Sequence, residues 1–271
     1  MDEQVVAVIV GLVQGVLEWL PVSSEGTVAL VLTLLGSADP EAAVGYALFL
    51  HAGTAMAATV YYRGEIDGVL RTLPDLSLRD PFATETADLA FLIVATLSSM
   101  LVGGIAYLAL ETLVSELAGG AFVALIGGLL IVTGVVQRVA ENRGGDGEGE
   151  PRSPDLFDGV AVGVLQGLAI LPGVSRSGTT VSALLLRGHE GVDSLRLSFL
   201  LAIPASLGAG LLSFDGLGIS ATAAVTALAV SAVVGYLTVG ALVALVRRVA
   251  FWAVCVGFGG LAVVGGVALL V

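Results

Sequence analysis

Lysine is absent from this 271-residue chain: all 11 basic residues are Arg, set against 23 acidic ones for a net charge of −12. Nucleic acid is bound through clustered basic charge, so this balance excludes it as a partner. Cysteine is nearly absent too. Cys255 alone cannot build an intramolecular disulfide framework or a multi-Cys metal site, and within its apolar run it reads as a small buried core residue. Charge of either sign is scarce, at 13% of residues against 56% hydrophobic, which leaves too little polar surface to clothe a water-soluble globule. The solvent for most of the chain is therefore lipid, and the expected location is the cell membrane, crossed several times. The N-terminus lacks the basic region of a secretory signal, with only Asp2 and Glu3 ahead of its apolar stretch, and reads as part of the mature fold.

What the chain does have is long apolar runs. Six of them, roughly 42–62, 87–110, 118–137, 196–214, 223–246 and 250–271, reach the length of about 20 residues that a helix needs to cross a hydrocarbon core. Two further apolar regions, 5–20 and 157–171, are each followed by a Pro and a Ser/Gly loop and then by a short apolar stretch ending near Gly36 and Leu186. Each half is too short to cross alone. The economical reading is a pair of re-entrant helical hairpins, tolerated only where protein or a water-filled cavity satisfies the loop backbone.

These two regions also repeat one another. Gly11-Leu-Val-Gln14-Gly15 and Gly163-Val-Leu-Gln166-Gly167 match at one constant offset, which carries Ser23 onto Ser175 and Gly26 onto Gly178. The expected fold is all-α, an inverted-topology repeat of six transmembrane helices plus two re-entrant hairpins, with repeat 1 at 1–139, an acidic linker at 140–155 and repeat 2 at 156–271. An odd number of spans per half is what inverts the second copy. Arginine placement supports this layout: Arg63, Arg71, Arg79, Arg138, Arg143, Arg152, Arg187, Arg196, Arg247 and Arg248 all fall on one side, the cytoplasmic one. Only Arg176 stands apart, inside a hairpin loop.

An ionised side chain at membrane depth costs a few kcal/mol, about 3 on insertion scales, and persists only with a partner or a task. Around Arg176, the segment Pro172-Gly-Val-Ser175-Arg176-Ser177-Gly178-Thr179-Thr180 offers hydroxyls and the unpaired N–H groups of a starting helix, which together make a phosphate cradle. Ser175, Ser177, Gly178, Thr179 and Thr180 are its candidate binding residues. The bland alternative is an Arg paired structurally with a carboxylate, and Glu18 is available for that. Gln14 and Glu18 lie four residues apart on one helical face, aimed at the loop Pro21-Val22-Ser23-Ser24-Glu25-Gly26-Thr27. A carboxylate facing phosphate needs either a bridging divalent cation, Mg²⁺ or Ca²⁺ held by Gln14 and Glu18, or a role as base. Ser23, Ser24 and Thr27 are candidate site hydroxyls, and Ser23 and Ser24 are equally plausible helix caps.

The segments Gln14-Gly-Val-Leu-Glu18-Trp-Leu-Pro-Val-Ser-Ser24 and Pro172-Gly-Val-Ser-Arg176-Ser-Gly-Thr resemble the two signatures of the undecaprenyl-diphosphatase family, the bacitracin-resistance phosphatases. Leu50-His51-Ala-Gly-Thr54 and Leu197-Ser-Phe-Leu-Leu-Ala-Ile-Pro204 extend the likeness over essentially the whole chain. The resemblance implies hydrolysis of a polyprenyl diphosphate lipid to the monophosphate and inorganic phosphate, at a site reached from the outer face of an inverted-repeat fold. It places Gln14 and Glu18 on the family's paired acidic or amide positions, Ser24 on its proposed nucleophile and Arg176 on its phosphate-binding Arg. One departure stands out. Thr27 occupies a position where many members carry His, and Glu25 one that is often small and neutral, so either Glu18, Glu25 or a metal-bound hydroxide acts as base here, or the activity is lower or altered. A polyprenyl-phosphate flippase or anion transporter would want the same cradle and is the rival reading. His51 reads as a packing or hydrogen-bonding residue and His189 as an exposed loop residue. The sequence does not decide whether the chain acts alone or as a homodimer.

Overall fold

The computed structural model describes residues 2–36, 40–116, 119–143, 152–213, 218–246 and 248–270, and among them the regular structure is helical, without a strand. In chain order, α1 (Glu3–Leu17) and α2 (Ser24–Leu34) are followed by α3 (Pro40–Tyr61), a short α4 (Arg63–Arg71) and a 3-10 turn at Leu73–Asp75. Then come α5 (Ala87–Glu116), α6 (Gly120–Arg143), α7 (Leu156–Leu168) and α8 (Arg176–Leu186). The last three are α9 (Gly191–Leu212), α10 (Ala221–Val246) and α11 (Phe251–Ala268).

Six of these helices, α3, α5, α6, α9, α10 and α11, are long and apolar enough to cross a membrane. They coincide with the six expected runs, and the differences lie at polar ends that hydropathy alone does not register. Helix α9 begins at Gly191 rather than near 196, because its first two turns carry the polar Asp193 and Arg196, and Arg196 also reaches Asp88 at the head of α5 at 2.7 Å. Helix α6 runs on to Arg143, past the expected repeat boundary at 139, and residues 144–151 of the expected linker lie outside the described residues.

The other apolar helices are short for a stated reason. At 1.5 Å per residue the 15 residues of α1 extend about 22 Å, below the roughly 30 Å of a hydrocarbon core. Each of the four is closed at its N-terminus by a side chain: Asp2 caps α1, Ser23 caps α2, Ser175 caps α8, and Asp155 with Asp158 forms a reciprocal capping box on α7.

Packing follows a crossed pattern in which α1 lies on α10 and α7 on α5, while α3 pairs with α9 and α6 with α11. Glycine permits the first two contacts. A Cβ at Gly11 would meet Ala227 O at 2.8 Å, and one at Gly163 would meet Ala95 O at 2.5 Å, so the helix backbones touch where a methyl group has no room. Trp19, 1% exposed, wedges between Phe199 of α9, edge-on at 5.9 Å, and α10, where its Nε1 donates to Gly235 O.

At the base of α7 and α8, the fully buried Asp158 accepts from Arg187 Nε at 2.6 Å and His189 Nε2 at 3.0 Å. His189 is therefore not the exposed loop residue its neighbours in sequence imply; it is 4% exposed, with Nδ1 on Arg152 O. The polar turn around it is folded inward to tie the two helices together. If the chain crosses the membrane as expected, Leu78 and Ala221 lie on opposite faces, separated by three spanning helices and the α7–α8 pair. Single cysteines at Leu78 and Ala221 in a Cys255→Ala background should label with an impermeant thiol reagent from opposite sides of a sealed vesicle; labelling from one side contradicts the layout.

Candidate active site

The loops that precede α2 and α8 meet one another, and hydrogen bonds lock them together. Ser23 Oγ caps its own helix by accepting from Gly26 N and also accepts from Gly173 N of the opposite loop, both at 3.0 Å. Ser177 Oγ donates to Leu20 O at 3.1 Å in the reverse direction. Spanning helices hold the pair from behind: Gln137 of α6 donates to Pro21 O, as does Cys255 of α11, while Thr133 Oγ1 bridges Gly173 O and Ser175 N at 3.3 Å each. Gly26 has no side chain because Gly173 N lies 2.9 Å from where its Cβ would be.

At the junction, Glu18 is 5% exposed and receives four partners. Arg176 Nη2 donates to its Oε1 at 2.6 Å, and Gln14 Nε2 and Ser24 Oγ each donate to its Oε2 at 2.9 Å. His51 Nε2 stands 3.4 Å from the same Oε2, with its Nδ1 on Ala47 O at 2.8 Å. Arg176 is only partly used by this arrangement. Its Nε and Nη1 are buried and have no hydrogen-bond partner among the described residues, and Gln14 Oε1 and Glu25 Oε1 are in the same state. Orphaned donors on a buried guanidinium carry a penalty of roughly 1–3 kcal/mol each unless an acceptor arrives.

Of the expected site residues, Glu18, Ser23, Ser24, Ser175, Arg176 and Ser177 line one polar pocket of about 20 Å³ with Glu25 and His51. Gln14 reaches it through Glu18. Thr27, Gly178, Thr179 and Thr180 do not line it: Thr27 Oγ1 donates to Ser23 O, Thr179 Oγ1 to Ser175 O, and Thr180 Oγ1 to Arg176 O while meeting Ser198 Oγ at 2.6 Å. Gly178 instead lets the second loop close on Pro21 O, 3.2 Å from a Cβ placed there. His51 is the residue that reading for packing alone undervalues. Its hydrogen bond to Ala47 is of the expected kind, but its other nitrogen belongs to the site.

Arg176, Glu25 and His51 also line a second space, an apolar cavity of about 440 Å³ between α3, α5, α7 and α9. Its walls include Gly103, Gly104 and Gly208, and at its rim Met100, Leu211 and Leu212 are 53%, 77% and 50% exposed. The polar pocket thus adjoins an apolar cavity with exposed residues at its rim, sharing Arg176, Glu25 and His51 with it.

A multi-spanning helical membrane protein with a buried polar pocket at the meeting of two capped loops is the class that these features define. Comparison with known proteins agrees: the family described as bacitracin resistance protein BacA matches residues 7–262. A protein named undecaprenyl-diphosphatase from Haloarcula marismortui is 61% identical over 98% of both chains. Proteins of the same name from Methanococcoides burtonii and Methanopyrus kandleri are 37% and 38% identical, over 95% and 94% of this chain and 96% and 93% of theirs. The chain belongs to the BacA family.

Because Glu18 and Arg176 neutralise one another in the interior, removing one strands the other. Arg176→Ala should lower stability by about 3–5 kcal/mol, and the double change Glu18→Gln with Arg176→Met should recover most of it. Thermal unfolding in detergent measures this; equal losses in the single and double variants would show that the pair is not coupled.

Proposed function

We propose that this protein hydrolyses a polyprenyl diphosphate of the undecaprenyl type to the monophosphate and inorganic phosphate, recycling a lipid carrier. The single observation that carries the reading is the half-used Arg176 guanidinium, whose buried Nε and Nη1 have no partner among the described residues, beside the Ser24–Glu18 hydrogen bond. A terminal phosphoryl group offers the acceptors those donors lack, in the bidentate geometry that a guanidinium favours. The relatives' names and the apolar cavity adjoining Arg176 support a lipid diphosphate over a soluble one, with the isoprenyl chain lying in the groove.

In this reading Arg176 and the N–H groups at the heads of α2 and α8 take the charge that develops on the phosphoryl oxygens as the bridging P–O bond breaks. Glu18 keeps Ser24 and Gln14 in place as Arg176 turns from the carboxylate toward the phosphate. Ser24 then presents its oxygen to the incoming water. A divalent cation such as Mg²⁺ or Ca²⁺ would be held by two hard oxygen ligands, the unpartnered Gln14 Oε1 and the Glu18 carboxylate, the latter once one of its present donors is released. Such an ion supplies charge neutralisation of the diphosphate. Among the described residues no group of three His, Cys, Asp or Glu side chains could hold a metal, so the substrate must contribute ligands.

The same proposal includes the layout: α1–α2 and α7–α8 as re-entrant hairpins, repeat 1 at 1–139 and repeat 2 at 156–271 as inverted copies joined by 140–155. The crossed packing of α1 on α10 and α7 on α5 supports it, since each first helix of one copy lies on the second span of the other. One observation favours the rival transport reading: a second cavity of about 470 Å³ reaches Trp19, Pro21, Ser177 and Gly178 from the side of Glu141 and Glu190. Hydrolysis needs one compartment and transport needs two.

Purified protein in detergent should therefore release phosphate from farnesyl or undecaprenyl diphosphate, and its absence there with lipid movement in vesicles would reverse the choice. Arg176→Lys should lower kcat/KM at least about tenfold, equivalent to about 1.4 kcal/mol of transition-state stabilisation, because the ammonium loses the planar fork. Glu18→Gln should remove most of the turnover and weaken the dependence on added Mg²⁺ or Ca²⁺; a full response to metal in that variant would move the ion elsewhere.

A further inference from the structure

Transfer of a phosphoryl group to water requires a group that takes the water's proton, and the candidates in the pocket can be sorted by what their atoms already touch. Glu18 has both oxygens engaged, one by Arg176 and the other by Gln14, Ser24 and His51. Both nitrogens of His51 already have a neighbour, Nδ1 on Ala47 O at 2.8 Å and Nε2 3.4 Å from Glu18 Oε2. Ser177 donates its hydroxyl to Leu20 O, and Thr27 spends its own on Ser23 O outside the pocket.

Glu25 is different. It stands in the first turn of α2, directly after Ser24, and is 4% exposed. It lines the polar pocket and the apolar cavity alike, and its buried Oε1 has no hydrogen-bond partner among the described residues. It is not among the partners of Glu18. An acidic side chain folded into an apolar setting with an empty acceptor, at the mouth through which a diphosphate would meet Ser24, is an unusual expense for a helix cap, and Ser23 already does the capping.

We propose that Glu25 is the general base of the hydrolysis, an assignment that rests on the function proposed above. As the water oxygen bonds to the terminal phosphorus, one water proton passes to Glu25 Oε1. The bridging P–O bond breaks, and its electron pair leaves with the prenyl monophosphate. The proton then passes from Glu25 to the inorganic phosphate, which restores the carboxylate and balances the reaction. The ionisable groups facing Glu25 are Glu18 from the first loop, Arg176 from α8 and His51 from α3, while α7 contributes the neutral Gln166 and Ala169.

The test is hydrolysis of farnesyl diphosphate by the purified full-length protein. Glu25→Gln should lower kcat by about 100-fold or more with KM changed less than about threefold, and should abolish the fall in kcat at acid pH that the wild type shows as its base takes up a proton. Glu25→Asp should keep that acid limb at reduced rate, and formate should restore Glu25→Ala at least about tenfold, a rescue that a packing role would not permit. Turnover of Glu25→Gln within about threefold of wild type overturns the assignment. So does a loss in Glu25→Ala that formate leaves untouched, with the acid limb of Glu25→Asp gone. A wild-type protein that releases no phosphate removes the function itself and this role with it, whereas an active wild type alongside an equally active Glu25→Gln removes only the role.

Discussion

The ion pair between Glu18 and Arg176 is the constraint on which the rest of the structure depends. A lone charge of either sign among apolar helices would be expelled or neutralised, and a pair contributed by loops 158 residues apart in the chain holds both only if those loops meet. Their meeting in turn requires short helices that end in the interior, glycines that let α1 and α7 press onto α10 and α5, and donors from α6 and α11 to occupy the exposed loop carbonyls. Each feature answers the backbone problem that an irregular segment poses away from water.

The same pair explains why the site is poised rather than merely stable. Glu18 is saturated while Arg176 is half-empty among the described residues, so in the proposed reading an arriving phosphate finds donors whose present state is unfavourable. Much of the desolvation of the guanidinium has been met in folding. Binding energy that would otherwise go to stripping water from the anion's partner is then available at the reacting centre. In the same proposal the apolar cavity beside Arg176 takes the other half of an amphiphile, and Met100, Leu211 and Leu212 are exposed at its rim.

Much of this was readable from local sequence because membranes impose local rules. Length and apolarity alone located the six spanning helices, the Pro and Ser/Gly loops marked where the short helices stop, and helical spacing paired Gln14 with Glu18. What resisted reading was set by distant contacts. His51 looks like any solitary His on a span until α3 brings it to 3.4 Å from Glu18, and His189 looks solvated until Asp158 and Arg152 enclose it. Thr179 and Thr180 appear to belong to a hydroxyl cradle, yet within a helix their Oγ atoms are captured by carbonyls one turn back. Gln137, Thr133 and Cys255 carry no local signal at all, since their task is to meet loop atoms on other segments.

The account stands or falls on what Arg176 does when substrate binds. A structure of the protein with a non-hydrolysable prenyl diphosphate analogue and Mg²⁺, read at the guanidinium, tests it most directly. The account predicts Nε and Nη1 of Arg176 within about 3 Å of terminal phosphoryl oxygens, with its hydrogen bond to Glu18 lengthened or lost. A diphosphate seated elsewhere, with Arg176 still closed on Glu18 and its two other donors still empty, would contradict it.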